Sequence, residues 1–233
     1  MRALIAAIVA IAMSDVAFAL NFVTLKPGDS RYGKCDTLIT GIIEIDSADK
    51  LVEFVFERYE TTGRPPMIYC LHSDGGSLIG AMQMADWLWH KAPSHMEVVD
   101  GDRCLSACVV VLASGRNNFL KRVWREVADG AVVGIHGFYL DTEPGVRDHA
   151  FTDAELVEIG KAVSGRLVEL MNTFQVHPIL AQTMLTSAPD EWTFLTHENM
   201  WWLSPGRYCY EGFRRPLHCN RQPLKLAEDS LLD

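Results

Sequence analysis

The chain predicts an α/β fold with a largely parallel sheet, on two grounds. Short β-branched runs alternate with segments whose apolar residues recur at helical spacing, the pattern of βαβ units. Its 233 residues, 48% hydrophobic and 22% charged, suffice for one substantial domain with its own core.

The elements read off in order. Leu38 to Ile45 is apolar and β-branched between polar flanks, a strand. Ser47 or Asp49 caps the helix that follows, where Leu51, Val52, Val55 and Phe56 share a face until Gly63-Arg64-Pro65-Pro66 stops it. Met67 to His72 is a second strand, ending at a glycine pair. Ser77 then opens a helix with Leu78, Ile79, Met82, Ala85 and Leu88 on one side. Trp87 and Trp89 at its end suit either an interface or the core. Met96 to Val99 is a third strand. Cys104 to Ala113 reads as an apolar helix with Ser106 near its mouth, and Ala131 to His136 as the next strand. A long helix spans Asp153 to Phe174, capped by Thr152 or Asp153 with Glu155 nearby, and another runs from Pro178 to Leu185. The tail beyond Tyr208 is rich in Arg and Pro and is expected to be irregular.

Composition narrows the function. A net charge of −9 with no basic cluster excludes a phosphate track, so no nucleic-acid partner is expected. Neither GxxxxGK[ST] nor GxGxxG is present, so no ATP or dinucleotide site is expected. Residues 1–19 read as a secretory signal: Arg2, an apolar run from Ala3 to Met13, then the small-x-small site Ala17-Phe18-Ala19. That run is short for a spanning helix, although an uncleaved anchor is the alternative. A periplasmic or secreted chain with six cysteines and no CxxC pair is expected to hold disulfides, with neither metal ligands nor a cofactor. Cys209–Cys219 is the favoured pair. Cys104 and Cys108, if both helical, would diverge too far to bridge easily, and they stay unassigned with Cys35 and Cys70.

Three parts of one reaction fall close together. A serine hydroxyl is a poor nucleophile until a base takes its proton, and histidine is the usual base. Ser106 and His136 supply that couple. Ser73-Asp74-Gly75-Gly76 follows a strand, where bare backbone N–H groups can hold an oxyanion. Read singly, Ser106 is a cap, His136 a core histidine and the glycines a tight turn. Their order along the chain favours chemistry. Asp190 follows a helix and would orient His136, with the adjacent Glu191 an alternative.

The succession of strand, Ser73-Asp74-Gly75-Gly76, helix, strand, Leu105-Ser106-Ala107-Cys108, helix, then Gly134-Ile135-His136 resembles the ClpP/crotonase superfamily, in particular exported ClpP-like proteins. The likeness spans about Leu38 to Ser204. It implies a ClpP/crotonase-like spiral of βαβ units, with residues 20–208 as the α/β domain and 209–233 as a tail. It also implies a serine peptidase using Ser106, His136 and Asp190, with the Gly76 and Ala107 amides as oxyanion donors. A peptide or protein substrate and a homo-oligomeric ring or trimer follow from the same likeness. The chain departs from the family where Asp74 stands in place of proline and where two cysteines bracket Ser106.

Two other readings compete. One is a Ser/Lys dyad resembling signal peptide peptidase A, with Lys121 or Lys161 as base; the pH–rate profile separates a histidine base from a lysine. The other is a non-catalytic binding scaffold of the same fold. An acyl-CoA enzyme is disfavoured by export.

Overall fold

The computed structural model describes residues 19–26, 31–117, 122–138, 151–196 and 198–203, plus the backbone of two short strands, Tyr208–Tyr210 and His218–Asn220. The expected signal segment, except Ala19, and Lys121 lie outside the described residues.

The fold is α/β. The elements are β1 (Asn21–Thr24), β2 (Thr37–Ile43), α1 (Ser47–Thr62), β3 (Ile68–Gly76), α2 (Leu78–His90), β4 (His95–Val98), β5 (Arg103–Leu105), α3 (Cys108–Ala113), β6 (Arg116–Asn117), β7 (Arg122–Val123), β8 (Arg125–Val127), β9 (Val132–Ile135), α4 (Asp153–Thr173), α5 (Pro178–Thr186) and β10 (Thr193–Phe194). β11 (Tyr208–Tyr210) and β12 (His218–Asn220) form an antiparallel pair, so the expected irregular tail has some order. Its register sets Cys209 opposite Cys219.

The main sheet runs β1-β2-β3-β5-β9-β10, with β4 and β8 branching from β3. Every pairing except β1–β2 and β9–β10 is parallel. β3 is the fork: Ile68 to Cys70 pair with β4, and Ser73 pairs with Cys104 of β5. Its alternation sends Tyr69 and Leu71 into the main core and Cys70 to the other face, beside Cys35 and Val99. α2 and α3 fill the main core. Leu88 and Trp89 are buried and Trp87 is partly buried against them, so that end of α2 packs on the core.

Local chemistry explains the helices. Ser77 Oγ accepts from Gly80 N at the start of α2, and Thr152 with Glu155 completes a capping box on α4. α1 differs from expectation in that Asp46 holds the cap position without a side-chain bond, and Ser47 instead accepts from Glu44 N. Gly63 ends α1 in the left-handed region.

Two disulfides, Cys35–Cys70 and Cys104–Cys108, correct the reading that left these cysteines unassigned. Cys104 is on a strand and Cys108 begins a helix, so the intervening turn brings their Cα atoms to 5.3 Å. The Cys35–Cys70 loop is the longer, with a separation of 35 residues. Replacing both its cysteines by serine is therefore expected to cost about 3–4 kcal/mol, against about 2 kcal/mol for the 104–108 pair, in urea unfolding.

Arg125 is buried and donates to the backbone carbonyls of Leu203 and Phe174, tying β8 to the end of α4 and the turn after Trp202. Burial pushes its guanidinium down to about 9, a measure of how far it is removed from water. Arg125→Met would leave both carbonyls unpaired. A loss of about 2–3 kcal/mol in urea unfolding is expected.

Candidate active site

The site begins with parallel pairing at the carboxyl ends of β5 and β9. Leu105 lies opposite Gly134, so Ser106 leaves β5 beside the point where β9 runs on to His136. This end of a parallel sheet is where open α/β folds place their sites. Ser106 N donates to Gly134 O at 2.7 Å, fastening the serine to the neighbouring strand. Ser106 itself has φ 52°, a left-handed conformation uncommon for a residue with a side chain.

This corrects the expected helix from Cys104 to Ala113. The chain makes a strand, then a sharp elbow at Ser106 and Ala107, then a six-residue helix buried throughout. The strain is held because Cys104 and α3 are both locked in the core.

The glycine pair closes in from β3. A Cβ added to Gly75, at φ +95°, would stand 2.6 Å from Leu105 O and 2.7 Å from Ser106 Cβ. Only a bare backbone reaches this close to the elbow. Asp74 is exposed and pairs bidentately with Arg103.

A cavity of about 580 Å³ is lined by Gly76, Ser106, Ala107 and His136, with Leu78, Phe138 and Met184 among its apolar wall residues. Four of the five predicted site residues thus share one space, and Asp190 does not line it. Asp190 and Glu191 are both exposed in the turn after α5, and the Glu191 carboxylate accepts from Ala188 N at 3.5 Å. His136 Nδ1 is buried and has no hydrogen-bond partner among the described residues. The expected Asp190–His136 bond is therefore not formed. The turn does abut the histidine through its backbone: Gly137 N donates to Ala188 O at 3.3 Å and Phe138 N to Met184 O at 2.9 Å. Beyond Asp190, the Trp192 ring packs on the imidazole with centroids 4.5 Å apart. A His–Asp pair exists elsewhere, His72 Nδ1 to Asp102 Oδ1 at 2.8 Å, but neither residue lines the cavity.

Sequence reading missed an ionic group on the cavity wall. Lys50 Nζ lies 2.6 Å from Glu44 and 3.1 Å from Asp46, and all three residues line the cavity. The bond to Glu44, then that to Asp46, holds the Lys50 ammonium above its ordinary range. The Asp46-x-x-x-Lys50 spacing was the available signal. Lys161, the expected alternative base, sits exposed on α4, pairs with Glu158 at 2.8 Å and does not line the cavity.

No protein-family model and no curated protein matches the chain. Among solved structures it is similar to ClpP1 from Listeria monocytogenes, with a TM-score of 0.46 and 14% sequence identity over 71% of this chain and 85% of that one.

Proposed function

We propose that the protein is an exported serine hydrolase, a peptidase of the ClpP/crotonase type, in which Ser106 is the nucleophile and His136 the general base. One observation carries this reading: a serine in a left-handed elbow lines a cavity together with a histidine and two backbone segments suited to an oxyanion. His136 Nε2 takes the Ser106 proton as Oγ bonds to the substrate carbonyl carbon. The Gly76 and Ala107 amides receive the oxyanion. Protonated His136 then passes its proton to the leaving amine, and water releases the acyl group by the same steps in reverse. Loss of one such amide donor costs about 100- to 1000-fold in rate in comparable enzymes.

Trp192 and the backbone of the Ala188 turn position His136 in this reading, in place of a carboxylate. Asp190→Asn is accordingly expected to keep kcat within about tenfold of wild type, far from the roughly 10⁴-fold loss that follows removal of a bonded triad acid. Export is supported by the two disulfides, which persist in oxidising compartments. A peptide or protein substrate and self-assembly into a ring or trimer belong to the same proposal.

A fluorophosphonate probe tests it. Labelling at Ser106 in the wild type, lost in His136→Ala, is the expected result. An unlabelled wild type that is fully folded would leave the binding-scaffold reading in its place.

A further inference from the structure

Strand alternation sets His95 and Glu97 on one face of β4, opposite Met96 and Val98 in the main core. Glu126 of β8 is the direct partner of Glu97 in the parallel ladder. The two carboxylates therefore share one face of the sheet, with Lys34 Nζ 3.5 Å from Glu126 on a half-exposed side chain.

The imidazole is the sharper observation. His95 is 1% exposed and stacks on Trp124 with centroids 4.5 Å apart. Neither ring nitrogen has a hydrogen-bond partner among the described residues, and the nearest Glu126 oxygen is 3.6 Å from Nε2, too far for one. A buried ring with both nitrogens unmatched is costly unless something binds it.

We propose that His95, Glu97 and Glu126 bind one divalent transition-metal ion, with Zn²⁺ best matched to the ligand set. One ligand atom from each residue already lies within 4.8 Å of the others. Tetrahedral zinc with bonds near 2.0–2.1 Å sets its ligands about 3.3 Å apart, so modest rotation of the two glutamates closes the site. One nitrogen and two carboxylate oxygens suit zinc and disfavour calcium or magnesium, which take oxygen ligands. The ion would join β4 to β8 and neutralise the two acids. None of the three residues lines the Ser106 cavity, so the site is independent of the hydrolase reading. This departs from the expectation of no metal ligands. The set escapes sequence motifs because Glu126 comes from a different strand.

The test is calorimetric titration of chelator-treated, dialysed full-length protein with zinc chloride, with magnesium and calcium chloride as comparisons. One zinc equivalent is expected to bind tightly, with a shift of the His95 ring nitrogens in NMR spectra and no heat from magnesium or calcium. Glu126→Gln, a half-buried position that leaves the His95 ring in place, should weaken zinc at least about 10- to 100-fold. His95→Asn should abolish the site, and if that variant fails to fold, Glu97→Gln carries the same expectation. No zinc binding, or equal binding by wild type and Glu126→Gln, overturns the proposal, the latter pointing to surface histidines such as His90.

Discussion

Ser106→Ala is expected to lose hydrolysis and fluorophosphonate labelling altogether, on the order of 10⁴-fold or more in kcat, while unfolding in urea much as the wild type does. Alanine keeps the Cβ and the φ of 52° and removes only the hydroxyl, so packing around α3 is unchanged. Ser106→Gly sharpens the test. A left-handed conformation costs a residue with a Cβ about 1–2 kcal/mol that glycine avoids, although glycine also gains freedom in the unfolded chain. The glycine variant should therefore be at least as stable as alanine, with a Tm higher by up to a few degrees, and equally inactive. That combination would identify the strain as a cost tolerated for function. Hydrolysis surviving in both variants, with contaminants excluded, would remove Ser106 from the mechanism.

Sequence reading recovered the elements whose apolar residues kept a clear period. α1, α4 and α5 each bury one face and expose the other, so their stripes stood out, and the caps Ser77 of α2 and Thr152 of α4 were legible as well. It failed where burial is complete. From Cys104 to Ala113 nearly every residue is apolar, and a buried strand followed by a buried helix has no period to divide them. The same error concealed the Cys104–Cys108 disulfide, because the divergence of the two side chains assumed a continuous helix. That Ser106, His136, Gly76 and Ala107 line one cavity was foreseeable because each stands at or just past the end of a strand that the sheet aligns with its neighbours. Asp190 was placed by its position after a helix, which says nothing about which way a turn faces. Trp192 packing on His136 and the Lys50–Glu44 ion pair depend on tertiary register that spacing does not encode.

Gly75→Ala should have the second-largest effect, because it injures the elbow and the fold at once. Its Cβ would meet two backbone atoms, Leu105 O at 2.6 Å and Ala107 N at 3.0 Å, as well as Ser106 Cβ at 2.7 Å. None of these is the end of a flexible side chain, so the elbow must move as a unit. Alanine also pays for a φ of +95°. Overpacking of this kind costs about 1–3 kcal/mol, and the backbone conformation adds about 1–2 kcal/mol, so a loss of about 2–5 kcal/mol is expected. Gly63→Ala separates the two contributions. Gly63 has φ +74° but nothing within 4 Å of an added Cβ, so that variant should lose only the backbone part, about 1 kcal/mol, and keep full activity. Displacement of Ser106 by even about 1 Å costs on the order of 100-fold in rate where geometry governs the attack. Folded Gly75→Ala protein, assayed well below its Tm, should accordingly show at least that loss in probe labelling. If it labels at the wild-type rate, the approach of β3 to the elbow serves packing alone, and the oxyanion role given to the Gly76 amide goes with it.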